Sequence, residues 1–528
     1  MKLKRQCFPT FIFLAGGIIL GMILWRNGMI LLSVPLLYGV LLVLTLALLF
    51  RVTGSRKESV FYMREFLIEG FLWMTITLGI GLLLFQIHAR DSEVLTAFFP
   101  ENIDGELKAV VYEVRERQYG YEMDVISRSL ILQEKEIFLK KKLNVMMYDS
   151  SLTIIPGMMV EIKVKDGQID HLLPRGEEVH SYYWSLLGKG INNRITLRSD
   201  GIKVLEEKPQ TSKSWPLAVR NYGDRFFSET LQSPHDQVMK SVLFGNRGFL
   251  MREELDLFSK TGTSHLIALS GLHIGLILWM GQSFFALLGF GKNQRLILGV
   301  LLMILYGIVA GFPVSLLRGS LLAGMLMIAY FRERPYDGIQ CLSVVGILVL
   351  LQNPFALFTL SFQLSFMATL GIFILYPRFI RWWRGYTSIP EGVRSLVAVT
   401  LSAQLATVPI VAFYFNRIST ISLLANLALL PTMALLLTLG VTALVWGVFI
   451  PHIGQGIAFI ANGILYYQMS ILQWMEKVPF AYVAVENVTL HWVLLYYGGM
   501  LLAIDLLEGG KIHGILERIQ RTNQRATS

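Results

Sequence analysis

Apolar runs about twenty residues long recur along most of this chain, and no other feature restricts its fold so strongly. A helical run of that length covers roughly 30 Å of hydrocarbon. Within lipid the helix is forced, because each backbone N–H and C=O must find its partner inside the protein. Such runs lie at 8–25, 29–50 and 67–88, and again at 264–290, 294–312, 314–331, 338–353, 356–377, 395–416, 419–450, 454–475 and 489–507. The sequence predicts a polytopic α-helical membrane protein of about ten to twelve spans. Composition agrees: 16% of the 528 residues are charged, where soluble chains carry about 25%. The basic start (Lys2, Lys4, Arg5) precedes a run without a small-residue cleavage site, and a second run follows at once, so the first is expected to stay as an anchor.

Residues 89–210 break the pattern. They hold 17 Lys/Arg against 20 Asp/Glu, whereas the rest of the chain holds 30 against 17. A basic excess in short loops marks the cytoplasmic side. Arg51, Arg56, Lys57 and Arg64 fill one such loop. In the second apolar block, Lys292 with Arg295, Arg332 with Arg334, and Arg378, Arg381, Arg384 and Arg394 fill alternate loops, while those at 311–314 and 352–355 hold no basic residue. Counted this way, both termini are cytoplasmic and 89–210 lies outside the cell membrane.

That external region reads as β-structure. Alternating stretches at 106–114 and 121–126, a strand at 140–148, a Pro156-Gly157 turn into 158–164, and Asp166-Gly167 predict one small β-barrel domain, OB-like in kind. Tyr112, Tyr119, Tyr121 and Tyr148 are candidates for stacking on nucleic-acid bases, although tyrosines on strands more often pack a core. The expected plan is a three-span segment at 1–88, the β domain at 89–210, amphipathic interfacial helices at 211–263, a polytopic domain at 264–507 and a basic tail at 508–528.

Polar side chains within apolar helices stand out, because burial without partners costs several kcal/mol. The densest group runs from Gly262-Thr263-Ser264-His265 through Ser270-Gly271-Leu272-His273 to Gly275. A span starting at 264 puts His265, Leu269, Leu272 and Leu276 on one stripe, with Ser270 and His273 within reach of each other. Gly271 and Gly275 make a small-residue pair that admits a neighbouring backbone. Intramembrane histidines either carry function or hold a bundle together, and both readings fit. Arg318 could line an aqueous path, snorkel to the interface, or meet a helix C-terminus. Gln363 and Ser365, Gln404 with Pro409, and Asn426 with Pro431 extend a polar seam, and Pro431 predicts a broken or re-entrant helix within 419–450.

The sequence has no phosphate-binding Gly-x-x-x-x-Gly-Lys-Ser/Thr loop, no His-Glu-x-x-His, no dense His/Asp cluster and no Gly-x-Ser-x-Gly. Cys7 and Cys341 lie far apart. The expectation is therefore no catalytic activity, no cofactor, no bound metal and no disulfide. A channel or carrier fits these residues, and so does a non-transporting scaffold.

The run at 262–275 resembles the signature of the ComEC family of competence proteins, in which Gly-Thr-Ser-His-Leu leads into Ser-Gly-Leu-His. Pro313 to Arg318, Asn353-Pro354, Phe362-Gln363-Leu364-Ser365-Phe366, Pro409, and Asn426 to Pro431 follow in the family's order, and Leu243-Phe244-Gly245 to Thr261-Gly262 resembles its approach. The resemblance implies a channel that moves single-stranded DNA across the cytoplasmic membrane in natural transformation. His265, Ser270, Gly271, His273, Arg318, Gln363, Ser365 and Asn426 would line or gate the path. Implied partners are single-stranded DNA and membrane lipid, with a separate nuclease, a cytoplasmic DNA motor and a surface DNA receptor. Many members add a metallo-β-lactamase-like domain with a His-x-His-x-Asp-His motif. This sequence lacks that motif through Ser528, so strand degradation is expected of another protein. The alternatives are a carrier of another solute, with histidines coupling protons, or a membrane scaffold.

Overall fold

The computed structural model describes residues 7–26, 74, 76–89, 105–117, 120–132, 135–138, 141–148, 154, 157–164, 169–172, 181–198, 201–206, 215–245, 250–385, 389–485 and 488–507. The run expected at 29–50, Tyr119, the Asp166-Gly167 turn and the tail at 508–528 lie outside these residues. The chain divides into two compact units. One comprises Met1–Leu255, Ser264–Phe366 and Ala428–Ser470; the other comprises Asp256–Thr263, Met367–Leu427 and Ile471–Ser528.

Helices dominate. In chain order they are α1 (Cys7–Arg26), α2 (Ile76–Ala89), α3 (Ser181–Gly188), α4 (Trp215–Thr230), α5 (His235–Phe244), α6 (Arg252–Lys260), α7 (Gly271–Leu287), α8 (Lys292–Ala310), α9 (Val314–Phe331), α10 (Gly338–Gln352), α11 (Leu360–Trp382), α12 (Glu391–Phe415), α13 (Ser422–Phe449), α14 (Pro451–Glu476) and α15 (Leu490–Leu507). Among the described residues, five helices are long and apolar enough to cross a membrane: α8, α9, α11 with its extension to Gly385, α12 and α13. Shorter apolar helices include Pro9–Leu24, Ile76–Ala89, Gly271–Leu287, Gly338–Gln352 and Leu490–Leu506. Large apolar side chains such as Leu287, Phe449 and Leu494 are exposed, which suits a surface facing lipid rather than water.

The boundaries follow from local chemistry. α8 ends where Gly311 adopts positive φ (79°) and Phe312 follows at 46°, and Pro313 then stands as N-cap of α9. The Phe312 N–H returns to Gly307 O at 3.0 Å, closing the end of the helix. Two expectations need correction. The span placed at 264–290 begins as a helix only at Gly271, with residues 261–270 in turns and irregular backbone. The break expected at Pro431 is absent: α13 runs from Ser422 to Phe449 with Pro431 inside it. Membrane helices tolerate an internal proline where neighbouring side chains meet the freed backbone groups. Next to the proline, Thr432 Oγ1 donates to Leu429 O at 2.8 Å and accepts from Gln468 Nε2 at 2.9 Å, which ties this turn to α14.

The first unit also holds an eight-stranded sheet in the order β6-β7-β4-β2-β1-β5-β8, with β3 paired to β2. Its strands are β1 (Gly105–Arg117), β2 (Gly120–Leu132), β3 (Lys135–Phe138), β4 (Lys142–Tyr148), β5 (Met159–Val164), β6 (Ile169–His171), β7 (Ile191–Arg198) and β8 (Ile202–Glu206). Pairing is antiparallel except between β4 and β7, and among the described residues no pairing closes the sheet into a barrel. Alternation sends Leu107, Val111, Met123, Val125, Leu143 and Val145 into one apolar core. The opposite face carries Glu122, Asp124 and Asn144, where Asn144 Nδ2 donates to both carboxylates at 3.0 and 2.8 Å.

Helix α3 covers this polar face. Tyr182 donates its hydroxyl to Glu122, and Lys189 reaches Asp124 at 3.3 Å. Its other end is capped by Asn353, whose Nδ2 donates to Leu187 O at 2.8 Å and Gly188 O at 3.2 Å. Asn353 also opens the short 3-10 turn Pro354–Phe358, and Trp184 packs on Phe358 with ring centroids 4.5 Å apart. The sheet is thus tied through α3 to the α10–α11 connection, and so to the start of α11.

Candidate functional site

Ser270 is the N-cap of α7, in extended conformation. Its backbone N–H donates to His273 Nδ1 at 3.2 Å and its hydroxyl meets the same nitrogen at 3.0 Å. The spacing is that of a capping box with histidine in place of the usual Glu or Gln. Because Nδ1 accepts from the backbone N–H, it carries no proton, the hydroxyl is also the donor, and the imidazole proton sits on Nε2. Both side chains are held, and His273 is buried.

Helix α9 lies against this corner. A methyl group built at Gly319 would be 2.7 Å from Gly271 Cα, whereas one at Gly275 meets nothing within 4 Å. Close approach therefore uses Gly271 with Gly319, not the Gly271 and Gly275 pair expected from sequence. Ser315 Oγ donates to Leu269 O at 2.6 Å and fastens the irregular segment ahead of α7. One turn later on α9, Arg318 is buried and its Nε donates to Ser365 Oγ on α11 at 2.5 Å. An Nη of Arg318 is 3.8 Å from the Cβ position at Gly271. Ser270, Gly271, His273, Arg318 and Ser365 therefore meet where three helices converge.

The other expected residues are distributed differently. His265 is exposed and lies in the irregular segment. Gln363 turns back to Leu357 O at 3.2 Å, closing the 3-10 turn. Asn426 belongs to the second unit, where its Oδ1 is buried without a hydrogen-bond partner among the described residues. In the sheet, Tyr121 packs against the apolar core, while Tyr112 and Tyr148 are 45% and 47% exposed. No group of three or more His, Cys, Asp or Glu suited to a metal occurs among the described residues.

Sequence reasoning passed over two residues. Gly319 had no visible partner until its neighbour was known. Arg220, on α4, went unnamed within the stretch expected at the interface; its Nε donates to Val309 O in the last turn of α8. In the second unit, Lys260 bridges Asp256 and Glu476 at 2.8 and 2.7 Å, and Arg417 reaches Asp256 at 2.8 Å. Hydrogen bonds from Lys260 and Arg417 hold the Asp256 carboxyl below its ordinary pKa. The network fixes α6 just before Gly262, whose positive φ (71°) and contacts with Ser419 and Ser422 leave no room for a side chain.

Apolar helices gathered around a buried arginine, with a sheet of the same unit fastened to their connections, define a membrane protein with a polar site inside it. The competence protein family matches residues 242–509, half of the chain and the whole of the site, and the chain belongs to that family. It is 30% identical to ComE operon protein 3 of Bacillus subtilis over 228 residues, which is 42% of this chain and 28% of that protein. It is 27% identical to Recombination protein 2 of Haemophilus influenzae over 361 residues, 64% of this chain and 42% of the relative. A third relative, the uncharacterized protein YcaI of Escherichia coli, is 26% identical over 267 residues, 47% of this chain and 34% of its own length. The chain thus spans less than half the length of each of these relatives. No solved structure matches it significantly.

Proposed function

We propose that this chain is a DNA-uptake channel that passes one strand of DNA across the cytoplasmic membrane during natural transformation. The observation that carries the reading is Arg318, buried and held by Ser365 beside the first turn of α7. A cation at membrane depth is costly unless it serves a path or a partner. Here one Nη of its guanidinium lies 3.8 Å from the Cβ position at Gly271, in the first turn of α7, and a helix start favours phosphate. His273, with its proton on Nε2, adds a neutral donor. Membership of the competence protein family supports the same reading.

In this account residues 89–210 form an extracytoplasmic OB-like domain that guides the strand, and 211–263 lie at the interface. Residues 264–507 form the path, within a multi-pass protein of about ten to twelve spans with cytoplasmic termini. His265, Gln363 and Asn426 act as gating or supporting residues. The chain performs no catalysis and takes no cofactor. A separate nuclease, a cytoplasmic motor and a surface receptor supply degradation, force and capture. The unbroken α13 removes one support from the reading as a carrier of a small solute, which invoked a discontinuous helix at Pro431.

The test is a gene deletion in the native host complemented with wild type, Arg318→Ala or His273→Ala at matched membrane levels. Labelled DNA is scored both at the surface and in a DNase-resistant pool. The expected result is retained binding, with entry lost in the deletion and reduced at least tenfold by Arg318→Ala. Undiminished entry in the deletion would remove the proposed function.

A further inference from the structure

The loop between α8 and α9 has a second cation beside it. Arg220 rises from α4, and its Nε is tethered to Val309 O. One of its Nη atoms lies 2.9 Å from the Cβ position at Gly311, and the Tyr112 hydroxyl lies 3.1 Å from the same point. At Gly311 the sheet and α4 therefore both close on the backbone of this loop, and a side chain there would strike both groups.

Tyr112 reaches this point through a defect in the sheet. In the β1–β2 ladder Val111 pairs with Val125 and Glu113 with Asp124, so Tyr112 is the extra residue of a bulge. Bulges re-aim a side chain out of the regular alternation. The ring is 45% exposed, and among the described residues its hydroxyl has no hydrogen-bond partner. The tether occupies only one of Arg220's five N–H donors, and none of the others bonds to a described residue. Asp224, one turn along α4, does not neutralise Arg220 by direct pairing; its Oδ1 is buried without a partner.

We infer that Tyr112 and Arg220, converging on Gly311, form a phosphodiester-binding lip at the entrance to the path, in which the guanidinium and phenol hydroxyl hold the backbone of a single nucleic-acid strand and the tyrosine ring stacks on a base. The inference rests on the proposed uptake function. The tether to Val309 presets the guanidinium, and arginine binds phosphate oxygens through paired donors. Base stacking on an exposed aromatic is independent of sequence, as uptake requires. From this lip the backbone runs through Pro313 into α9 and reaches Arg318 after four helical residues, about 6 Å of rise. Two fixed cations therefore bracket the reversal at 311–313, one at the lip and one within.

The experiment uses the full chain in nanodiscs of zwitterionic lipid, with a fluorescein-labelled single-stranded oligonucleotide followed by anisotropy across a salt series. Arg220→Gln is expected to weaken binding about tenfold and to flatten the log K against log salt slope by about 0.7, one single-strand phosphate contact. Tyr112→Ala is expected to weaken binding about tenfold with the slope unchanged, because stacking releases no counterion. Tyr112→Phe, which keeps the ring on an exposed position, should retain most of the affinity and checks that the sheet is intact. An unchanged slope in Arg220→Gln, or wild-type protein that binds no oligonucleotide, overturns the lip. So does an Arg220→Gln defect confined to anionic-lipid capture, which would make the site a headgroup contact. Each of those results leaves the uptake reading to the deletion experiment, where entry of DNA is scored without reference to this site.

Discussion

Gly319 lies so near Gly271 that a methyl group added to it would stand 2.7 Å from the Gly271 Cα. The contact sets the distance between α7 and α9, and through it the distance between the Ser270–His273 pair and Arg318. Backbone atoms cannot yield as a flexible side chain can, so the cost of overpacking falls on helix separation. Gly319→Ala should destabilise the protein by about 1–3 kcal/mol and sharply reduce DNA entry. Gly275→Ala, where space is open, should do neither. Thermal unfolding in detergent and uptake at matched protein levels measure both, and equal behaviour of the two variants would remove the helix contact from the account.

His273 has two separable roles. Its Nδ1 caps α7 through Ser270, and among the described residues its Nε2–H has no hydrogen-bond partner, which leaves it for a ligand in this account. Glutamine at the same position restores the ordinary capping box. His273→Gln should therefore unfold within a few degrees of wild type while entry of DNA falls about tenfold. Ser270→Ala should cost about 1 kcal/mol of stability. Normal uptake in His273→Gln would reduce the histidine to a cap.

Asp224 makes stability depend on pH. Burial raises its pKa from 3.8 to about 6, against the opposing pull of Lys240 and Arg220. The folded state therefore holds this proton more tightly than the unfolded chain does. Its contribution is fully present below about pH 4, is lost as pH rises through about 6, and stays lost above. Asp224→Asn should be more stable than wild type at pH 7.5 by about 2 kcal/mol, with partial exposure discounted. The gain should vanish by about pH 4; a gain independent of pH would place its origin elsewhere.

The Asp256–Lys260–Arg417–Glu476 network carries the opposite sign. Its hydrogen bonds lower the Asp256 pKa, so its stabilisation is present above about pH 4 and disappears as pH falls through the depressed folded value. These side chains are 24–44% exposed, which limits their worth. Asp256→Asn should cost about 1 kcal/mol at low salt and less at high salt. A loss that does not respond to salt would mean that packing at Gly262, rather than charge, holds α6.

Hydropathy made most of the second helical block legible, because a run of apolar residues bounded by basic loops has one stable form in lipid. The span placed at 314–331 coincides with Val314–Phe331. The site was legible as residues but not as contacts. Ser270 and His273 declared their spacing, yet an apolar period could not reveal that the backbone stays irregular until Ser270. That outcome depends on Ser315 holding Leu269 O from another helix. Likewise Gly271 named itself as a close-contact position, but its partner, 48 residues away, follows from how α9 packs. Tyr112 was singled out as a stacking candidate, while the bulge that aims it comes from register with β2, a pairing that alternation within one strand does not encode.

The central claim is that a DNA strand passes Arg318, and in vivo photo-crosslinking tests it most directly. A photoreactive amino acid is placed at Ser365, beside Arg318, and as a control at Leu287, which is 85% exposed on the apolar surface. Competent cells are given labelled DNA and irradiated during uptake. The account predicts label on the position 365 protein, none on the position 287 protein, and loss of the crosslink when entry is blocked. Continued entry with no label at position 365, while the probe is present in the membrane and photoactive, would contradict it.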